Sequence, residues 1–137
     1  RRQRQMCIRD RNHRDTYTGI TDRDRALTTR RFGELAGEVN ELSTSEAMEA
    51  LGREFRTPGH IPLCRESPGG LSKRQGHTEL AVAIARLSGN IPCTIGAEML
   101  DPEGDGALSL QEARKYAEEH GIPMITGNDI LESMDMV

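Results

Sequence analysis

The chain has no tryptophan, and Phe and Tyr together make up only 3% of it. A core here must be assembled from Leu, Ile, Val, Ala and Met, and a hydrophobic content of 35% makes even that supply modest. Cysteine is scarce: Cys7, Cys64 and Cys93 are odd in number, widely spaced and form no CxxC pair. That pattern argues against a disulfide framework and for a reducing, cytoplasmic setting. No apolar run approaches the roughly 18–20 residues of a membrane span, and no signal peptide is visible, so no membrane partner is expected. Internal repeats and low-complexity linkers are missing too. A length of 137 residues therefore reads as one domain without a seam.

The net charge of −4 conceals an imbalance. Residues 1–31 hold ten Arg against four Asp, and the remainder carries eight basic and eighteen acidic side chains. A basic arm can contact nucleic acid. This one has neither interleaved aromatics nor a helical stripe, so nucleic acid is not an expected partner. The string MCIRDR at residues 6–11 is what ATG TGT ATA AGA GAC AG(A/G) encodes, which resembles a transposon-end adapter used in sequencing libraries. Residues 1–12 are accordingly expected to be a non-native or disordered leader, with the domain proper over residues 13–137.

Helix and strand signals alternate along the rest. Thr21 to Asp24 offers a cap for a short helix to about Arg30. Ser43-Thr44-Ser45-Glu46 is a capping box opening a helix to about Phe55. His60 to Cys64 reads as a short strand, and Pro68-Gly69-Gly70 as a loop. A stripe of Leu80, Ala83, Ile84 and Leu87 predicts a helix from Thr78 to Ser88, stopped at Gly89. Ile91 to Leu100 is strand-like. Ser109 to Glu112 is a second capping box, for a helix running to His120 and ended by Gly121. Ile122 to Thr126 reads as a closing strand, and Asp129 to Met134 as a last turn or helix. Alternation of this kind implies helices layered on a sheet.

Two stretches carry chemistry. Asp101, Glu103, Asp105, Gly106, Leu108 and Glu112 fall at positions 1, 3, 5, 6, 8 and 12 of a calcium-loop pattern. The exiting helix is right, but the entering one would have to cross Gly89, Pro92 and Gly96. The second is PGGLSKRQGHT at residues 68–78, which sets Arg74, Gln75, Gly76, His77 and Thr78 at an expected helix N-terminus. Unpaired N–H groups and the helix dipole favour anions there, and arginine adds a planar donor fork. Histidine adds a metal ligand or proton carrier. His60, like His77, follows a glycine in a polar break, and Glu98 supplies a carboxylate at the end of the next expected strand.

These motifs resemble 3,4-dihydroxy-2-butanone 4-phosphate synthase, in an archaeal-looking form. The resemblance rests on HRDTYTGI at 13–20, DRALT at 24–28, RTPGHIPL at 56–63, Gly69-Gly70 and RQGHTE at 74–79, in order, and covers about residues 13–133. It implies an α+β fold, a three-layer sandwich of helices about a mixed twisted sheet, here with its N-terminal part missing. It implies a lyase of riboflavin biosynthesis that acts on ribulose 5-phosphate, releases formate, uses Mg²⁺ or Mn²⁺ and works as a homodimer with sites near the interface. By resemblance His77 is a metal ligand, and Arg74, Gln75, Gly76, His77 and Thr78 bind substrate, with Arg74 and Thr78 near the phosphate. Glu98 matches the essential carboxylate, which also touches substrate, and His60 the essential histidine. Thr18, Asp24 and Arg25 fall in a motif close to the site. The family's acidic loop, of the Asp-Arg-Glu-x-Glu-Gly-Asp type, supplies a carboxylate metal ligand and has no counterpart here. The polypeptide is therefore expected to be inactive or nearly so. The rival readings are a calcium-binding module at Asp101 to Glu112 and a non-catalytic fragment.

Overall fold

Caps and salt-linked turns set the helices of this chain, which a computed structural model describes over residues 10–135. Residues 1–9, most of the expected leader, lie outside that range. α1 (Asp22–Glu38) opens on Thr21, whose side chain accepts the Asp24 N–H. It runs well past Arg30. Phe32 and Leu35 continue its buried side, while Arg31 bridges Glu34 on the same helix and Glu54 beyond it. Such i,i+3 and i,i+4 pairs favour continuation. A 3-10 turn over Val39–Glu41 follows. α2 (Thr44–Glu54) begins on the expected capping box, Ser43 with Glu46.

β1 (Arg11–His13) and β2 (Phe55–Ile61) form an antiparallel pair, the two strands of the sheet among the described residues. β1 includes Arg11 and Asn12, which the sequence assigned to the leader. β2 starts earlier than the expected His60 to Cys64, because Phe55 and Arg56 have partners in His13 and Asn12. Beyond Ile61 the ladder stops at Pro62, which has no N–H to donate. Between Arg11 and Asn12 the register jumps: Asn12 pairs with Arg56 but Arg11 with Ile61, so residues 57–60 bulge out of the ladder.

α3 (His77–Leu87), α4 (Leu110–His120) and α5 (Gly127–Ser133) complete the elements. The buried side of α3 is formed by Glu79, Ala83 and Ala85, with Leu80 packed beside Ala83, while Ile84 and Leu87 lie exposed. The helix is thus rolled toward Glu79 relative to the stripe that predicted it. α4 ends at Gly121 in the left-handed region (φ 63°), as expected of a C-terminal glycine. Its Ser109 cap accepts the Glu112 N–H at 3.2 Å. α5 starts at Gly127 behind a capping box of Thr126 and Asp129.

The α+β expectation holds, with a sheet smaller than a large mixed one. Ile91 to Leu100 and Ile122 to Thr126 are not strands. Their apolar side chains stay largely exposed, Ile95 at 78% and Leu100 at 68%, so no surface rewards extending them. In the first segment Ile91 O accepts the Cys93 N–H in a tight turn, and Leu100 makes one isolated bridge to Ala107. Apolar packing gathers in two places: Leu35, Ala50 and Phe55 between α1, α2 and β2, and Leu71, Ala83 and Ile130 between α3 and α5.

Candidate phosphate and histidine sites

The segment leading into α3 is built around one buried carboxylate. Gly69 and Gly70 take positive φ (93° and 54°), turning the chain into a 3-10 turn over Gly70–Ser72. Gly70 O then accepts the N–H groups of Lys73 (3.0 Å) and Arg74 (3.1 Å), which delivers Arg74 to the start of α3. Glu79 is 1% exposed, with Oε1 accepting the Ser67 N–H (2.9 Å) and Oε2 accepting Arg74 Nη1 (2.6 Å). The Ser67 amide, ahead of the Arg74 charge, holds the Glu79 carboxyl at a pKa of about 2, against the upward push of burial. At the other end of the helix Arg86 pairs with Glu66, so the loop is fastened to both ends of α3.

Gly76, the N-cap, offers no side chain to the first-turn N–H groups of His77 and Thr78. A Cβ at Gly76 would come within 2.4 Å of Arg74 Nη1 and 2.8 Å of Glu79 Oε2. Glycine here lets that ion pair lie close against the backbone. The result is an uncapped helix end beside an arginine fixed on one arm by Glu79 and 60% exposed along its side chain. That is a surface an anion can occupy. His77 and Gln75 are exposed and Thr78 is half-buried.

His60 stands on the β2 bulge. The bulge removes its N–H from the ladder, and the Asn12 carboxamide takes over: Asn12 Oδ1 accepts the His60 N–H at 2.9 Å. Asn12 Nδ2 lies 3.1 Å from His60 Nδ1. Two glycines make room for this. A Cβ on Gly59 would meet the Asn12 backbone nitrogen at 2.4 Å, and one on Gly19 would meet Asn12 Nδ2 at 2.0 Å. Gly19 also takes φ +85°, which favours glycine on its own account. Its N–H, with those of Tyr17 and Thr18, points at Asp24 (2.8, 3.4 and 3.0 Å). These donors, Gly19 foremost, lower the Asp24 pKa. Arg25 pairs with Asp22.

The sequence-derived site residues fall in separate places. Arg74 to Thr78 form one group, His60 belongs to another, and Glu98 sits exposed in the irregular segment after Ile91. Among the described residues no hydrogen bond or ion pair joins Glu98 to His60 or His77, and no three His, Cys, Asp or Glu come together as a metal would need. The grooves of about 260 Å³ beside Met99, Leu108 and Tyr116 and of about 490 Å³ beside Gly33, Ile84 and Cys93 contain none of these residues. Sequence reasoning missed Asn12 and the anchoring role of Glu79. For Asn12 no local signal exists, since its partner is 48 positions away. Glu79, an acid at the third position of a glycine-capped helix, carried a signal that could have been read.

The calcium-loop reading finds no support among the described residues. Met99 O accepts the Leu108 N–H and Gly106 O the Asp101 N–H, closing a hairpin-like turn, and Asp101 Oδ1 accepts the Glu103 N–H at 3.0 Å. The Asp101 carboxylate serves the turn's own backbone, and the segment ahead of it is not a helix.

Comparison with known proteins gives a consistent result. The sequence model of the family described as 3,4-dihydroxy-2-butanone 4-phosphate synthase matches residues 3–133. A protein of that name from Archaeoglobus fulgidus is 50% identical over 121 residues, 88% of this chain and 49% of the relative. The Methanosarcina acetivorans protein is 47% identical over 122 residues, covering 89% and 48%. A crystal structure of the Candida albicans synthase superposes with a TM-score of 0.69 at 33% identity, over 91% of this chain and 58% of that one. The chain spans about half the length of the curated relatives it matches.

Proposed function

The chain belongs to the 3,4-dihydroxy-2-butanone 4-phosphate synthase family, and from that premise we propose that it carries part of the site of a sugar-phosphate lyase. The reaction is conversion of D-ribulose 5-phosphate to L-3,4-dihydroxy-2-butanone 4-phosphate and formate in riboflavin biosynthesis. The observation that supports it best is the Arg74–Glu79 pair beside the uncapped N-terminus of α3. Glu79 fixes one arm of the guanidinium and leaves its remaining N–H groups, with the first-turn amides and Thr78, for the substrate phosphate. Holding the non-reacting end sets the sugar's orientation toward the reacting carbons.

Enolising a ketose needs a base near the carbon-bound proton and a donor at the carbonyl oxygen. Glu98 is the proton-transfer group in this reading, and His60 assists from the β2 bulge. Cytoplasmic placement and a homodimer with sites near its interface belong to the same proposal.

The family resemblance implies Mg²⁺ or Mn²⁺, with His77 as a ligand. The described residues do not fit such an ion: His77 offers one imidazole, and no carboxylate pair stands near it. Hard cations take oxygen ligands, and even Mg²⁺, which keeps several waters, is held through one or two carboxylates. No step above is drawn through such an ion.

Titration of the ¹⁵N-labelled chain with ribulose 5-phosphate tests the phosphate site. Amides of Arg74 to Thr78 should shift, and Arg74→Ala should weaken binding about tenfold, the loss of one charge-assisted contact. Shifts confined to other segments would overturn the assignment. Formate release by this polypeptide alone is expected to be negligible, and a turnover of the usual enzymatic order would overturn the statement about the metal.

A further inference from the structure

We infer that Asn12 is a positioning residue that holds His60 in one tautomer, with Nδ1 bare and the proton on Nε2. The role of His60 in ribulose 5-phosphate binding rests on the reading above; the tautomer does not.

The assignment follows from the bonding pattern. The His60 backbone N–H can only donate, and it meets Asn12 Oδ1 at 2.9 Å, which fixes which end of the carboxamide is oxygen. The NH₂ end is then the part of Asn12 closest to His60 Nδ1, at 3.1 Å against 3.3 Å for Oδ1. An amide NH₂ has donors and no acceptor, so the shorter contact makes Nδ1 the accepting nitrogen, and a neutral ring then carries its proton on Nε2. The opposite tautomer would turn its N–H to Oδ1 at the longer 3.3 Å, onto an oxygen that already accepts the His60 backbone N–H, and would leave the buried NH₂ without its acceptor. Asn12 is 3% exposed, and Gly19 and Gly59 close on it tightly, so it has no room to turn over.

The consequence concerns direction. His60 is exposed, its Nδ1 is taken up by Asn12, and Nε2 is the nitrogen left for a ligand. It therefore presents an N–H. In the proposed reaction this makes His60 a donor to a substrate oxygen at the outset, and leaves the first proton abstraction to a carboxylate. The bulge in β2 is what makes the device possible. A regular ladder would occupy the His60 N–H and leave Asn12 nothing by which to be oriented.

The test is long-range ¹H–¹⁵N correlation of the ¹⁵N-labelled chain at alkaline pH, with His60→Asn used to assign the ring. Wild type should show unprotonated Nδ1 and protonated Nε2. Free histidine already leans that way, so the deciding variant is Asn12→Asp. Its carboxylate still accepts the His60 N–H, which preserves the bulge, but it now accepts from Nδ1 as well. The tautomer should reverse. An Nδ1–H ring in wild type, or an unchanged ring in Asn12→Asp with native backbone shifts, would overturn the inference. In the same samples Asn12→Asp should weaken ribulose 5-phosphate binding roughly tenfold, about one polar hydrogen bond. If His60→Ala binds the sugar phosphate as wild type does, the functional reading of His60 fails while the tautomer result stands.

Discussion

Arg74 and Glu79 meet at 2.6 Å with unequal cover: the carboxylate is shielded from water and the guanidinium mostly bathed in it. The pair is thus asymmetric in consequence. Glu79 depends on its partners, Ser67 N–H and Arg74, to remain ionised where it sits. Arg74 depends on Glu79 only for its direction. Substituting Glu79→Gln should leave α3 in place, since the amide keeps the volume, but should release Arg74. The expected result is weaker binding of inorganic phosphate with little change in helicity, read by phosphate titration and circular dichroism.

Acid stability should report the same group. The folded Glu79 pKa of about 2 lies below its ordinary 4.5. A depressed carboxyl contributes stability that is fully present above the unfolded value and lost as pH falls through the folded one. Asp24, Glu46, Glu66 and Asp129 are lowered as well and act in the same direction. Unfolding midpoints should hold steady above about 4.5 and decline toward 2. The decline should be shallower in Glu79→Gln.

Gly19→Ala is expected to be among the more damaging single-methyl additions in the chain. The left-handed φ alone costs about 1–2 kcal/mol for an ordinary residue. The added methyl would also drive into Asn12 Nδ2. Denaturant unfolding should show a loss exceeding that backbone cost, and the His60 ring resonances should move although His60 is 41 positions away.

Ser43→Ala and Thr126→Ala remove the capping boxes of α2 and α5. Each should cost about 1 kcal/mol, with Ser43→Ala acting on the packing of Ala50 and Phe55. Equal stability of either variant with wild type would show that these exposed caps matter less than their geometry implies.

Calorimetric titration with Ca²⁺ should be flat. Asp101→Asn should leave it flat and should keep the turn, since the amide oxygen can still accept the Glu103 N–H. Saturable heat that vanishes in this variant would restore the calcium reading.

What the sequence made legible were features that announce themselves locally. The Ser43–Glu46 box, the Gly121 stop and the glycine-rich approach to α3 all depend on residues within a turn of one another, and each stands where it was expected. Features created by distant pairing were not legible. β1 is three residues long, too short for any alternation to register, and exists because Phe55 and Arg56 lie beside it. Asn12 gains its role from a bulge 48 positions away. The expected strands at Ile91 and Ile122 had the composition of strands but no edge to pair with. In the site, the motif at Arg74 to Thr78 was readable as chemistry. The tie from Arg74 to Glu79 had its signal too, in an acid at the third helical position, but an acid beside the expected anion site looks like a neighbour rather than an anchor.

The two apolar clusters have a last consequence, for cooperativity. His60 is held by the β1–β2 pair, which packs with Leu35, Ala50 and Phe55; Arg74 and His77 ride on α3, which packs with Leu71 and Ile130. Backbone amides around the one can exchange with solvent through an opening that leaves the other closed. Hydrogen exchange should sort the chain into two protection classes that follow this division. A ligand that touched both would do more than fill a site: it would couple two opening reactions into one.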